Sequence, residues 1–429
     1  MKPRSGILAW FHNETTLVEV TMDGRLTASA TPGAASALSR GTGLLLAIAS
    51  GLAVANVYYA PPLLDVMANE FGMRRATVGI VVTATQVGYG LGLLLVVPLG
   101  DLLDRRRLIG VQSLLSVLAL IAVAVAPTSN WLLVAMAAVG VLAVAAQVML
   151  AHAAGLATAG DRGRAVGVVT SGIVIGILLA RTVAGALGDV AGWRSVYLAA
   201  AAATLVMAGL LYRALPRSAG HRAQLSYRRL IGSLVRLFAE VSALRVRAFI
   251  ALLMFLAMTV LLTPMVLQLS APPYSLSTTQ IGLFGLAGVA GAIGAAHAGR
   301  LSDRGRAQRV TGVGLVVMLA AWIPAALLPQ SLWGLILAVI AFDFGLQSVH
   351  VANQNLVYRT RPTAQSRLTA AYMLCYAIGS AIGPIASTLV YGTVGWPGVC
   401  ALGATVSLTS LLFWASTRRL PLQSPEGTP

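Results

Sequence analysis

The chain has 429 residues, 57% of them apolar and only 10% charged, and carries a net charge of +17. A soluble domain holds about 25% charged residues, so this few could not cover a soluble surface of this size. The basic excess raises nucleic acid as a partner, and the placement of the charges along the chain argues against it.

Residues 1–41 contain no apolar stretch of signal-peptide length, only the short run from Ile7 to Phe11. They read as a disordered cytoplasmic tail, or as a start placed upstream of a true beginning at Met22. Twelve apolar runs follow, near residues 43–62, 77–99, 108–127, 131–151, 165–188, 195–215, 248–268, 280–298, 310–329, 332–355, 369–391 and 398–416. Each is close to the roughly 20 residues that cross a hydrocarbon core of about 30 Å. Backbone amides in lipid must be satisfied within their own segment, and the runs lack strand alternation, so each is predicted as a helix. The expectation is an all-α membrane protein: a tail over 1–41, a six-helix bundle over 42–216, a basic cytoplasmic linker over 217–247, a second six-helix bundle over 248–417, and a tail over 418–429.

The Lys and Arg residues follow the joints between these runs. With both termini on one side, that side receives 26 of them: the tail to Arg40, Arg105 to Arg107, Arg162, Arg164, the stretch from Arg213 to Arg247, Arg300 to Arg309, Arg359, Arg361, Arg367, Arg418 and Arg419. The other side receives three, Arg74, Arg75 and Arg194, while Arg181 lies inside a run. This asymmetry predicts cytoplasmic termini and an even number of crossings, so basic charge sets topology and no nucleic acid is needed. Cys375 and Cys400 fall at different membrane depths and are expected as free thiols.

An internal repeat runs at a period of about 200 residues. Gly100-Asp101-Leu102-Leu103-Asp104-Arg105 follows the second run, and Gly299-Arg300-Leu301-Ser302-Asp303-Arg304 follows the eighth, an offset of 199. Gly176 to Arg181 with Gly192-Trp193, and Gly379 to Pro384 with Gly395-Trp396, match at an offset of 203. Six crossings per half return the chain to the same side, so the two bundles are parallel repeats with a midplane site expected between them.

The Gly-x-x-x-Asp-Arg loop, its second copy, the twelve runs and the long central loop resemble the major facilitator superfamily over about residues 42–417. The stretch from Ala55 to Leu64, Ala180-Arg181-Thr182 and Val351-Ala352-Asn353-Gln354 resemble a bacterial branch of drug and metabolite exporters. The resemblance implies the major facilitator fold and alternating access, coupled in many members to a proton gradient. It also implies that helices 1, 4, 7 and 10 face the cavity, which selects Asn56 and Gln147. The pattern is broken at Arg181, where exporters often carry the Pro of a Gly-Pro pair that survives here as Gly383-Pro384. It is broken again at Arg107, where the family usually has Gly.

The loop residues have a physical reading of their own. Gly100 suits a close backbone approach, Asp104 can accept from a neighbouring helix N-terminus, and Arg105 to Arg107 can meet carboxylates or lipid phosphate. Gly100, Asp104 and Arg105, with Gly299, Asp303 and Arg304 in the second copy, are thus expected to hold one arrangement of the bundles.

Ionisable groups at membrane depth cost about 2.5 to 3.5 kcal/mol on insertion scales, so they mark function. Arg181 lies seventeen residues after Arg164, about 25 Å along a helix, in the outer half. It reads as a cavity residue for an anionic group or a facing carboxylate, or as one that snorkels outward. Asp343 falls near the midplane and is the candidate proton carrier. Gln347, His350 and Gln354 follow on roughly one helical face and are candidate cavity residues. The alternative is a structural pairing of Asp343, with Arg181 as one candidate partner. Glycine at 285, 288, 291 and 294 reads as a close-packing face, and His152, His297 and His350 lack ligand spacing, so no metal is expected.

No nucleophile elbow, phosphate loop or zinc helix appears, and no soluble segment is long enough for an enzyme domain. The expected function is a secondary transporter of a small solute in the bacterial inner membrane, with both termini cytoplasmic. Proton-coupled efflux by antiport leads, with uptake symport or passive facilitation as alternatives within the fold. A transporter-derived sensor or lipid-handling protein is the alternative of another class. Expected partners are the solute, protons and membrane lipids, with no nucleic acid and no cofactor, and the chain is expected to act as a monomer.

Overall fold

The computed structural model describes residues 39–158, 161–215, 227–361 and 365–419. Most of the amino-terminal tail, including Met22, and the last ten residues lie outside them. Among the described residues eleven helices are long and apolar enough to cross a membrane, and a shorter apolar helix completes the twelve. In chain order they are α1 (Arg40–Glu70), α2 (Ile80–Leu95), α3 (Arg105–Ala124), α4 (Ser129–Leu156), α5 (Gly163–Ala191), α6 (Trp193–Ala214), α7 (Ser242–Ser270), α8 (Thr278–Asp303), α9 (Ala307–Ala326), α10 (Leu332–Tyr358), α11 (Arg367–Val394) and α12 (Trp396–Thr417). Large apolar side chains such as Val134, Val190 and Leu118 stand on the outside of the bundle, as lipid-facing residues must.

Three differences from the sequence expectation have local causes. Pro61 and Pro62 do not end α1: the helix breaks at Tyr59 and restarts at Ala60, with the prolines in the first turn of the new segment. A first turn has no partner for those amides, so proline fits there without loss. The second helix is short as an α-helix because its ends tighten: Ile80 N bonds Thr77 O and Leu99 N bonds Val96 O, three residues back. Pro98 lacks an amide to continue the ladder, and the chain resumes as Leu99–Leu102. The linker contains its own helix, Tyr227–Glu240, and α7 begins at Ser242, inside the stretch assigned to the linker.

The two halves repeat in structure as they do in sequence. Both α5 and α11 end at a glycine with positive φ, Gly192 at 79° and Gly395 at 74°, followed by a buried Trp that opens the next helix. A side chain is strained in that backbone region, which accounts for glycine at both places. The matched pair Gly176 and Gly379 does the same packing work in each half. A Cβ at Gly176 would lie 2.3 Å from Gly51 O of α1, and one at Gly379 would lie 2.1 Å from Leu252 O of α7.

The halves meet along two seams, α2 against α11 and α5 against α8. The α2–α11 seam runs the full depth, from Ala76 and Gly79 against Gly392 and Pro384, through Thr83 donating to Ala381 O at 2.7 Å, to Gly90 against Ala377. On the α5–α8 seam, close contacts run from Asp189 and Thr278 only as far as Leu178 and Gly288. Beyond that point Gly167 and Ser171 on α5, and Ala296 and His297 on α8, are exposed. The close α5–α8 contacts therefore lie toward the face opposite the chain ends.

The linker helix bridges both halves on the terminal face. Tyr227 donates to Leu95 O of α2 at 2.7 Å, while Leu237 packs with Leu244, Leu368 and Tyr372 of the second half. Arg361 pairs with Glu240 at 2.9 Å. Arg247, grouped above with the linker charges, is not a loop residue: it is 0% exposed within α7.

Candidate functional site

The residues between the halves assemble around one glycine-lined stretch of α8. Helix α8 changes to a 3-10 turn over Phe284–Ala287, and Arg181 of α5 packs there. A Cβ at Gly285 would lie 3.0 Å from Arg181 Cβ. One turn along, Gly288 and Gly291 leave room for the Asp343 carboxylate of α10, whose Oδ2 would lie 3.6 and 3.4 Å from added Cβ atoms. Gly291 also accommodates Gln347, and Gly294 rests on Phe344 O. The glycine face is thus a packing face, and Arg181 and the Asp343 carboxylate are among the groups it admits.

Arg181 and Asp343 come from opposite halves and lie within electrostatic reach of each other. Among the described residues no ion pair within 4.0 Å joins them, and Arg181 Nε is buried without a hydrogen-bond partner. The guanidinium instead lies 5.6 Å from the ring centre of Tyr58, a distance at which cation–π attraction operates. The two side chains thus lie near one another across the halves without a direct ion pair.

Aromatic side chains continue the site toward the other helices. Tyr58 and Tyr376 hydroxyls meet at 2.9 Å across the halves. Tyr376 stands edge to face on Tyr89, with ring centres 6.2 Å apart, and on Phe255 at 4.1 Å. Gln147 of α4 donates to the Tyr89 hydroxyl at 3.5 Å. Helices α1, α2, α4, α5, α7, α8, α10 and α11 therefore all contribute. A small cavity of about 10 Å³ beside Arg181 is lined by Pro61, Pro62, Leu262, Met265 and Phe284.

The structure divides the sequence candidates. Arg181, Asp343, Gln347 and Gln147 are brought together between the halves. His350 borders this aromatic cluster: its ring stands 5.3 Å from that of Phe255, and its Nδ1 lies 3.2 Å from the Tyr372 hydroxyl. Gln354 lies a turn further toward the terminal face, half-buried. Asn56 is not between the halves. It faces inward within the first bundle, 3% exposed, in a cavity of about 20 Å³ that it shares with Ser113, Ser116, Met149 and Thr204. Its helix carries polar and small residues on several sides, so the fourteen residues from Thr42 to Ala55 could not reveal which side meets the other half.

The loop motif makes several contacts within its own half. Asp104 caps α3, accepting from Arg106 N at 2.8 Å. Arg105 donates to Gly100 O at 3.0 Å and to Ala151 O of α4 at 2.9 Å. Arg106 reaches Tyr212 O and lies 4.8 Å from that ring's centre. The acceptors in these contacts are backbone carbonyls, joined by the Tyr212 ring face. A Cβ at Gly100 would meet nothing closer than 3.7 Å, so no close backbone approach requires glycine there. In the second copy Asp303 closes α8 and Arg304 caps it, Gly299 has open space around it, and Arg359 ties Ser302 O to α10 at 2.8 Å.

Sequence reasoning missed Tyr376, Phe255 and Arg247. Arg247 donates to Asn353 Oδ1 at 3.4 Å, with its Nε and Nη2 lacking partners among the described residues. Ala243, Leu244 and Ala248 around it were a signal that the helix begins before it.

Residues 46–362 and 248–428 match the sequence profile of the Major Facilitator Superfamily. The chain is 42% identical to the uncharacterized transporter YgaY of Escherichia coli O157:H7 over 371 residues, 86% of this chain and 94% of that one. It is 30% identical over 386 residues to the chloramphenicol resistance protein of Streptomyces lividans, covering 86% and 94%. Its fold matches a solved bacterial homolog of the human lysosomal transporter Spinster with a TM-score of 0.72 at 15% identity, over 90% of this chain and 98% of that one.

Proposed function

Because this chain belongs to the Major Facilitator Superfamily, a membrane transporter family, we propose that it exports a small solute in exchange for protons by alternating access. The observation that carries the reading is the pair of opposite charges, Arg181 and Asp343, contributed by different halves to one glycine-lined stretch of α8. A carboxylate that exchanges a proton for a solute must be reachable from each side in turn, and a site between rocking halves provides that.

The steps follow from the residues. With the terminal face cytoplasmic, as the distribution of basic residues favours, solute enters between the terminal-face ends of α5 and α8. It displaces weak contacts at Asp343 and Gln347 by donating hydrogen bonds, while Tyr58, Tyr89, Tyr376 and Phe255 offer apolar and ring-edge surface. Closing the terminal face and opening the other exposes Asp343 to the outside. Protonation there removes the acceptor charge and releases the solute, and Arg181 stabilises the carboxylate again once the proton leaves inside. The relative named for chloramphenicol resistance supports export, since removal from the cell lowers the internal dose.

Purified protein in proteoliposomes tests this, with chloramphenicol as the first probe and a panel of small amphipathic solutes after it. Flux should be driven by an imposed pH gradient and should lose that dependence in Asp343→Asn. A solute flux that ignores the gradient in the wild type would leave a passive facilitator and remove the exchange.

A further inference from the structure

The face opposite the chain ends is closed by a contact that the transport reading does not use. The Asp189 carboxylate, near the end of α5 in the first half, sits over the N-terminus of α8 in the second. It accepts from Thr278 N at 3.1 Å, from Thr279 N at 2.7 Å, and from the Thr278 hydroxyl. The first amides of a helix have no partner within it and carry its partial positive charge, so a carboxylate is the group best suited to them. Helix α8 already has an N-cap of its own: Ser277 and Gln280 form a capping box. That box serves Gln280 N, and Asp189 supplies from the other half of the molecule the acceptors for Thr278 N and Thr279 N.

The surroundings are arranged for this approach. The Thr278 hydroxyl, with one proton to give, also lies 2.9 Å from Gly185 O of α5, and Thr182 of α5 donates to Gly282 O of α8 at 3.1 Å. Each helix thus sets a threonine hydroxyl beside a glycine carbonyl of the other. A Cβ at Gly185 would lie 2.2 Å from Thr278 O, so the two backbones touch only because glycine is there. At the offset of the repeat, Asp189 corresponds to Gly392, which lies against Ala76 in the α2–α11 seam with no side-chain acceptor. The carboxylate is present in one seam only.

We propose that Asp189 is a positioning residue for the transport cycle: a latch, built from one carboxylate of the first half on the helix N-terminus of the second, that holds the outer face shut while the terminal face is open. Asp189 is exposed, so water can replace its donors when the seam parts, and the latch biases the equilibrium without locking it. The proposal rests on the alternating-access reading above and is independent of solute and coupling ion.

Electron-spin distance measurement tests it without reading flux. Spin labels go on Asn130→Cys and Gln330→Cys, exposed positions on the outer face of the two halves, in a background with Cys375 and Cys400 replaced by Ala. In lipid nanodiscs the wild type should show a dominant short distance. Asp189→Ala should raise the long-distance population relative to the short one by about tenfold, the effect of losing charge-assisted bonds to a helix end. Thr278→Val, which keeps shape and removes one donor, should move it the same way by about threefold. Two populations in the wild type whose ratio ignores both variants would overturn the latch alone. A single distance, unmoved by pH between 5 and 8 or by either variant, would overturn the rocking of the halves and the latch with it.

Discussion

The two seams between the halves are related by the same repeat, yet they are built differently. The α2–α11 seam is long and mostly apolar, with Gly79 against the Pro384 carbonyl at one end and Gly90 against the Ala377 methyl at the other. The α5–α8 seam is short and polar, carrying Arg181, Asp189 and two threonine hydroxyls beside glycine carbonyls, and its close contacts reach only to Leu178. Small apolar packing between helices has no preferred alternative partner in lipid. Polar contacts at the end of a helix can be exchanged for water. The difference teaches where this molecule can hinge and where it can open.

Substitutions that fill a seam should have the largest effects. Gly79→Leu, whose Cβ would lie 2.3 Å from Pro384 O, should lower thermal stability by about 1–3 kcal/mol and reduce transport at least tenfold; Gly185→Leu should reduce transport as much while costing less stability. Melting curves with flux in the same preparations separate the two. Equal losses of stability in both would break the distinction between a hinge seam and an opening seam.

Charge changes at the polar seam come next. Asp343→Asn should reduce gradient-driven flux by about tenfold, ~1.4 kcal/mol, and flatten its pH profile, while leaving expression and melting temperature close to wild type. Arg181→Gln should lower flux as well, and a normal rate in that variant would remove the guanidinium from the cycle.

Smaller effects sharpen the picture of the aromatic contacts. Tyr376→Phe removes the hydroxyl bond to Tyr58 across the halves and should change the solute KM by about threefold, as one neutral hydrogen bond allows. Asn56→Ala should leave KM unchanged and shift only the melting temperature, since Asn56 faces Ser113 and Thr204 inside its own bundle. A changed KM for Asn56→Ala would return that residue to the solute path.

Much of this protein was determined by its sequence alone. Hydropathy is local, so twelve crossings, the even parity and the basic joints are written run by run. The repeat is equally explicit, and Gly192 and Gly395 take the same backbone conformation because a tight turn before a Trp demands it in each half. Arg181 and Asp343 were legible as well, because a charge in an apolar run stands out wherever it points.

What only the tertiary structure decided is direction around each helix axis. These helices are apolar on nearly every side, since lipid and neighbouring helices both accept apolar groups, so no stripe marks the side that meets a partner. Asn56 turns into its own bundle and Gln147 out of it for reasons that lie in the packing of other helices. The same holds for Tyr376 against Tyr58, for Arg247 at the buried start of α7, and for Asp189 on the N-terminus of a helix about 90 residues further along the chain.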